Sequence, residues 1–125
     1  MKQRKRKKSL CRQMWNKVKG LAPIRTITAR WAASQPLIIR AWIFGSRVRG
    51  TARAYSDLDV AIEVRALPGD TEPLATFIFE ADRLRRSIQA QFPFKVDLQW
   101  YGGPAGTPII HAGLNQSSIL VYQAN

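Results

Sequence analysis

The chain has very little cysteine and histidine. Of its 125 residues, one is cysteine (Cys11) and one is histidine (His111). An intrachain disulfide is therefore excluded, and a zinc site built from cysteine and histidine lacks the ligands that it needs. His111 is expected to be an ordinary surface or helix-end histidine. One cysteine in a chain of this kind favours a reduced, cytoplasmic protein.

Long hydrophobic runs are missing as well. No apolar run approaches the roughly 20 residues that a membrane-spanning helix needs, and no apolar segment follows the basic amino terminus as it would in a signal peptide. We therefore expect a soluble protein without a membrane segment. The apolar content of 46%, with four tryptophans, is enough for a hydrophobic core, and the length suits one domain.

Acidic residues are absent before Asp57, so the charge is divided unevenly. Residues 1–56 carry fifteen Lys and Arg residues, whereas residues 57–125 carry five, together with all eight Asp and Glu. Nine basic residues lie within the first twenty, where their mutual repulsion predicts a disordered tail over 1–20 ahead of a folded domain over 21–123. The tail is either a solvated extension or an arm for nucleic acid or an acidic partner. Translation from Met14 would remove most of it.

Hydrophobic periodicity predicts helices alternating with strands. Helices are predicted at about 23–34 and 71–91, with a shorter one at 107–114, and strands at 37–44, 57–64 and 94–100. Residues 119–122 are predicted to form either a short terminal strand or a packed tail. Asp70 or Thr71 is the predicted cap of the long helix, and Pro93 enforces its end. The glycine-rich residues 101–106 are predicted to form a loop.

Three aspartates lie in strand segments, where aspartate is unfavourable. Asp57 and Asp59 are two residues apart and so project from the same face, and Asp97 lies at a polar position of a later strand. If the two strands are neighbours, three carboxylates converge and repel one another unless a cation is bound. Carboxylate oxygens are the ligands that Mg²⁺ prefers. The pattern therefore predicts a site for two divalent ions.

Gly45 and Ser46 end the strand that precedes these aspartates. Small residues at such a turn allow backbone N–H groups to approach a phosphate. Taken alone, the dipeptide also fits an ordinary tight turn. Likewise, Asp57 or Asp59 taken alone fits the start of an ordinary strand. Its side chain would then face solvent or pair with Arg47, Arg49 or Arg53.

The whole pattern, G-S-R-V-R-G followed by S-D-L-D-V-A-I, reads as G-S, ten residues and D-x-D. It resembles the signature of the polymerase-beta-like nucleotidyltransferase superfamily. Within that superfamily the chain is most similar to the minimal nucleotidyltransferases, single domains of about this size, many of which are antitoxins beside HEPN-domain ribonuclease toxins. The resemblance covers roughly residues 21–123. It implies an α+β fold, with a small mixed β-sheet and helices packed on one side.

The resemblance also implies residue roles on the phosphate side of the site. Gly45 and Ser46 would contact the β- and γ-phosphates of a nucleoside triphosphate. Arg47 and Arg49 occupy basic positions that commonly accompany the G-S pair, and they would neutralise phosphate charge or meet the partner. Tyr55 stands where many relatives have a smaller or kinking residue. The basic tail is not part of the family pattern.

On the metal side, the resemblance implies that Asp57 and Asp59 bind Mg²⁺. Asp97 would complete the second metal site and act as base for the incoming hydroxyl. Pyrophosphate would leave after in-line attack at the α-phosphorus. Asp57, Asp59 and Asp97 are thus the predicted catalytic and metal-binding residues.

The expected function is Mg²⁺-dependent transfer of AMP from ATP to a tyrosine, serine or threonine of a partner HEPN-type toxin. Adding charge and bulk near its RNA site would silence that toxin. One alternative is a catalytically silent antitoxin that binds and occludes its toxin. Another is a nucleic-acid-binding module that uses residues 1–20. A small-molecule nucleotidyltransferase is disfavoured because the chain has no second domain.

Overall fold

The structure, a computed structural model, describes residues 20–125. The predicted disorder of the tail and its predicted contact with nucleic acid lie outside these residues, and both stay predictions. Within the described part of the chain, no helix is both long enough and apolar enough to cross a membrane.

Five helices and four strands are formed by residues 20–125. The helices are α1 (Leu21–Ala33), α2 (Ser46–Arg49), α3 (Pro73–Gln89), α4 (Gly103–Gly106) and α5 (Pro108–Gln116), and the strands are β1 (Ile38–Phe44), β2 (Leu58–Val64), β3 (Val96–Trp100) and β4 (Ser118–Gln123). The predicted helices and strands are confirmed, with ends shifted by a few residues. The loop prediction for 101–106 is wrong in part, because α4 forms one turn there. Pro104 lies in that first turn, where its missing N–H costs no hydrogen bond.

The four strands form one mixed sheet in the order β3-β2-β1-β4. Strand β1 is antiparallel to both β2 and β4, whereas β2 and β3 are parallel. A parallel pair needs a long crossover connection, and α3 supplies it. The predicted α+β class with a small mixed sheet is therefore confirmed.

The core lies between the sheet and the two long helices. Alternate residues of β2 are fully buried on this face, and they meet apolar residues of α1 and α3. The indole N–H of Trp31 donates to Ser87 Oγ at 2.7 Å and so ties α1 to α3. The short α5 packs elsewhere: a Cβ on Gly113 would lie 3.4 Å from the ring of Phe44. The large, fully buried side chains are Ile24, Thr28, Ile38, Ile43, Leu58, Val60, Ile62, Val64, Thr76, Leu84, Ile88 and Leu98.

The start of α3 differs from the prediction. The helix begins at Pro73 and its N-cap, Glu72, makes no side-chain capping bond, so the predicted cap by Asp70 or Thr71 is wrong. The residue before a proline is held extended, and proline itself suits the first helical turn; both effects move the start two residues along the chain. Asp70 instead accepts a hydrogen bond from the Thr76 hydroxyl.

Replacing Thr76 by valine is expected to destabilise the fold. Thr76 is fully buried, and its hydroxyl oxygen also accepts the N–H of Leu67 at 3.0 Å. Valine keeps the shape but leaves two polar groups without their partner, which costs about 1–3 kcal/mol. Urea denaturation measures the change. Thr26→Val is the control, because it removes an exposed hydrogen bond from the Thr26 hydroxyl to Ala22 O at 3.2 Å. Its free energy of unfolding should fall by no more than about 0.5 kcal/mol. Equal losses in the two variants would contradict this account.

Candidate functional site

The aspartates meet at one end of the sheet. Asp59 on β2 is in register with Asp97 on β3 and, on its other side, with Phe44 on β1. Residues that face each other across adjacent strands share one face of the sheet. The two aspartate-bearing strands are thus neighbours, which is the condition under which their carboxylates converge. Asp57 lies one residue before β2 and is exposed, whereas Asp59 and Asp97 are half-buried.

Asp59 is the electrostatic centre of this end of the sheet. Burial raises the pKa of Asp59 above its ordinary value, and the nearby carboxylates of Asp97 and Asp57 raise it further. Arg49 acts in the opposite direction and lowers that pKa. The negative charges of Asp97 and Asp57 thus disfavour ionisation of the Asp59 carboxyl group. A bound cation would relieve this repulsion.

Gly45 brings the backbone directly against Asp59. Its φ is +79° and its ψ is −156°, a region that is essentially restricted to glycine. A Cβ at this position would collide with the Oδ2 atom of Asp59. Glycine is needed here for two reasons, its conformation and its close approach to the carboxylate.

Ser46 begins α2 directly after this glycine. The N–H groups of Val48 and Arg49 bond back to Gly45 O at 3.1 Å each. The earliest N–H groups of a helix have no partner within it and so are available to another acceptor. Two small residues, Gly45 and Ser46, and the first N–H groups of α2 thus lie next to the Asp59 carboxylate. A phosphate-binding turn requires such small residues and available N–H groups.

Arg47 holds the connector that leads to the aspartates. Its guanidinium carbon lies 3.8 Å from the ring centroid of Phe94. From there its Nη2 donates to Ser56 O at 2.6 Å and to Ala54 O at 3.2 Å, and its Nε donates to Ser56 O at 3.2 Å. Burial lowers the pKa of Arg47, which Asp57 partly offsets. These contacts make Arg47 a positioning residue for Asp57 and leave Arg49 as the arginine suited to a phosphate.

Replacing Arg47 by lysine is expected to loosen this connector. An ammonium group lacks the flat fork that stacks on Phe94 while bonding to two carbonyls. Hydrogen exchange in residues 50–57 should accelerate at least about tenfold, with exchange in β1 unchanged, since a local opening is affected. Arg53→Lys is the matched control, because Arg53 is an exposed residue of the same connector. Unchanged exchange in the Arg47 variant would contradict the positioning role.

Two polar neighbours of the aspartates were not identified from the sequence. Gln99 donates from Nε2 to Asp97 Oδ1 at 2.8 Å, and Lys95 Nζ lies 3.8 Å from Asp57 Oδ2. Alternation along residues 94–100 puts Lys95, Asp97 and Gln99 on one face of the strand, so the sequence contains the signal for the Gln99 contact. The contact between Lys95 and Asp57 joins residues next to two different strands, so predicting it requires the register of β2 against β3.

His111 belongs to a separate group of side chains. Its Nδ1 lies 2.8 Å from the Tyr101 hydroxyl, and its Nε2 lies 3.1 Å from Asn115 Nδ2. The Tyr101 ring packs edge-on against Trp42, with centroids 5.2 Å apart. His111 is thus a residue of α5 that is hydrogen-bonded to Tyr101, directly after β3.

The donor set fits a hard divalent cation. Asp59 and Asp97 face each other in register, Asp57 is close enough to act on Asp59, and the pKa of Asp59 is raised by both. Carboxylate oxygens in such a group suit Mg²⁺. Over residues 20–125, no three acidic, histidine or cysteine side chains are already gathered into a closed ligand set. Oxygen atoms of a bound substrate would thus complete the coordination of the cation, together with these carboxylates.

Comparison with known proteins agrees with this geometry. The family model "Polymerase beta, Nucleotidyltransferase" matches residues 28–125. The chain is 43% identical over 58 residues to a Haemophilus influenzae protein named "Probable protein adenylyltransferase MntA". That stretch is 46% of this chain and 44% of the relative, so the match spans less than half of the relative's length.

A solved structure has a related fold. It is described as a crystal structure of a toxin–antitoxin with AMP-PNP, and one of its chains superposes with a TM-score of 0.51 at 16% identity, over 81% of this chain and 74% of that one. At this identity the likeness concerns the fold alone. The family model covers most of the chain, including β1 to β4 and all the aspartates. The protein therefore belongs to the polymerase beta nucleotidyltransferase family.

Proposed function

We propose that this protein is an antitoxin that transfers AMP from ATP to a hydroxyl side chain of a partner HEPN-type toxin in a Mg²⁺-dependent reaction. The observation that carries the proposal is the register of Asp59 and Asp97, which places two carboxylates opposite each other beside the Gly45 turn. Metal-binding carboxylates next to a phosphate-binding turn are the equipment of phosphoryl-group chemistry.

The triphosphate is placed by the turn between β1 and α2. The backbone around Gly45 and Ser46 offers N–H groups with no Cβ at Gly45 in the way, and Arg49, whose charge already acts on Asp59, is the cation that would meet phosphate oxygens. Because the pyrophosphate carries most of the substrate charge, this turn holds the leaving group. The α-phosphorus then lies towards Asp59.

The transfer step is a displacement at the α-phosphorus. The partner hydroxyl oxygen forms a bond to that phosphorus, the bond to the bridging oxygen breaks, and pyrophosphate leaves. Asp97 takes the hydroxyl proton; its Oδ1 is held by Gln99 at 2.8 Å, which orients the carboxylate. Mg²⁺, when bound by Asp57, Asp59 and Asp97, would neutralise phosphate charge and lower the pKa of the attacking hydroxyl.

The choice of AMP and of a protein acceptor draws on the relatives. The Haemophilus influenzae protein is named a protein adenylyltransferase, and the superposed structure is a toxin–antitoxin with an ATP analogue. Both descriptions point to a protein as the target or partner, and we therefore propose a separate protein as the acceptor of this chain.

Labelled ATP, Mg²⁺ and the product of the adjacent reading frame test the proposal. Wild-type protein should attach label to that product, and mass spectrometry should locate AMP on a tyrosine, serine or threonine. The variant Asp57→Asn/Asp59→Asn should transfer none. Equal labelling by both proteins would exclude the proposed site. A double variant that still neutralises the toxin in cells would instead indicate an antitoxin that acts by binding alone.

A further inference from the structure

The order of the strands determines from which side an acceptor reaches the site. Gly45 and Ser46 follow β1, Asp59 lies on the adjacent β2, and Asp97 lies on β3 beyond it. In an in-line displacement the entering oxygen stands opposite the leaving group. With pyrophosphate held at the β1 end of this row, the hydroxyl enters from the β3 side.

Strand β3 is an edge of the sheet in the described part of the chain. Beside it lies a groove of about 510 Å³ between the end of α3 and the start of β3. The groove and the carboxylate of Asp97 lie on opposite sides of the same short strand, since Val96 and Asp97 alternate across the sheet. A segment seated in the groove therefore has to cross only one strand to reach Asp97. The lining residues are Arg85, Arg86, Gln89, Ala90 and Val96.

The groove is held in a fixed shape. Gln89 accepts the N–H of Val96 at 2.9 Å and donates to Phe94 O at 2.8 Å. One side chain thus fastens the last turn of α3 to the beginning of β3. A groove fixed in this way loses little freedom when a partner binds.

Positive charge surrounds this edge. Arg85 and Arg86 are exposed, and neither forms an ion pair within residues 20–125. Arg85 lies over the ring of Phe77 at 5.6 Å, and Arg86 Nε lies 3.4 Å from the backbone oxygen of Asp82. On the other side of the strand, the Lys95 side chain is 74% exposed, with its Nζ 3.8 Å from Asp57 Oδ2. Three cations therefore flank the path to Asp97.

We propose that this groove, together with Lys95, docks an acidic segment of the acceptor protein next to the modified hydroxyl. The inference rests on the proposed protein adenylylation and adds the chemistry of the acceptor. An acidic segment finds two guanidinium groups in the groove that form no ion pair within residues 20–125, and its hydroxyl residue passes over Val96 to Asp97. A basic segment meets like charges at all three positions, and this repulsion weakens its affinity for the groove by several-fold or more.

Two synthetic peptides test this on the full chain. Both contain one central tyrosine, flanked on each side by three glutamates in one and by three lysines in the other. AMP transfer from ATP should favour the acidic peptide in kcat/KM by at least about tenfold. Arg85→Glu/Arg86→Glu should abolish that preference without changing the KM for ATP. Arg25→Glu/Arg30→Glu, on exposed positions of α1 with the same change in charge, should keep it.

Hydrogen exchange provides a readout that does not depend on catalysis. The acidic peptide should slow exchange in residues 83–98, and the groove variant should lose this protection. If the groove variant keeps the preference, or if the peptide protects only residues 1–19, the docking proposal is wrong. Protection of 83–98 without AMP transfer by any peptide would support the groove and count against the proposed function.

Discussion

Replacing Asp59 by asparagine is expected to abolish AMP transfer and, at the same time, to make the protein more stable. The carboxylate lies between Asp97 on one side and the Gly45 backbone on the other. If Asp59 binds Mg²⁺ as we propose, its loss removes several kcal/mol of charge stabilisation in the transition state, which corresponds to about 10³-fold or more in rate. Radiolabel transfer from ATP measures the loss.

The gain in stability follows from the pKa of Asp59. Burial and the carboxylates of Asp97 and Asp57 raise this pKa in the folded protein. The stability that this group contributes is therefore present in acid, below its unfolded pKa, and is lost as the pH rises through its folded pKa. At neutral pH the charged carboxylate opposes folding. Asparagine has no charge to bury, so the variant should melt a few degrees higher at pH 7 in the absence of Mg²⁺.

Thermal melts at several pH values check this second effect. The difference between variant and wild type should shrink as the pH falls, because wild-type Asp59, whose pKa is raised by burial and by the nearby carboxylates, becomes neutral as well. Asp82→Asn is the matched control, an exposed acid on α3 away from the site, and should leave both activity and the pH dependence unchanged. A lower melting point for Asp59→Asn than for wild type at every pH would contradict this account. It would show that the Asp59 carboxylate stabilises the fold as a hydrogen-bond acceptor.

The meeting of the aspartates could be predicted from the sequence because it depends on local rules. A period of two fixes which residues of a strand share a face, and the apolar residues around Asp59 and Asp97 reveal both strands. The helix between them is long enough for the crossover of a parallel pair, but the sequence left the adjacency of the two strands as a condition. The pairing of Asp59 with Asp97 completed what those rules had indicated.

The role of Arg47 could not be predicted in this way. Its position after Gly45 suggested a phosphate or a partner, but its guanidinium stacks on Phe94, 47 positions further along the chain, and bonds the connector carbonyls. Such a contact depends on where the end of α3 places the following segment, and no periodicity encodes it. The same is true of the contact between Gly45 and Asp59, which needs the register of β1 against β2.

Replacing Gly45 by alanine is expected to damage both the fold and the site. Its backbone conformation is one that alanine adopts only at a cost of about 1–3 kcal/mol. The new methyl group would also displace the Asp59 carboxylate, with which it collides. Since a misplacement of about 1 Å can cost 10²-fold in rate, AMP transfer should fall by at least that factor, even in the fraction that remains folded.

Gly50 provides a control for the collision with Asp59. Its φ is also positive, at +78°, but its ψ of 16° places it in the left-handed helical region, which alanine adopts at a smaller cost than the conformation of Gly45, and a Cβ there would meet nothing within 4 Å. Gly50→Ala should therefore cost about 1 kcal/mol in urea denaturation and leave the affinity for ATP unchanged. Gly45→Ala should lose more stability and most of its ATP binding, measured by calorimetry. If both variants bind ATP as wild type does, the contact between Gly45 and Asp59 has no part in placing the phosphate.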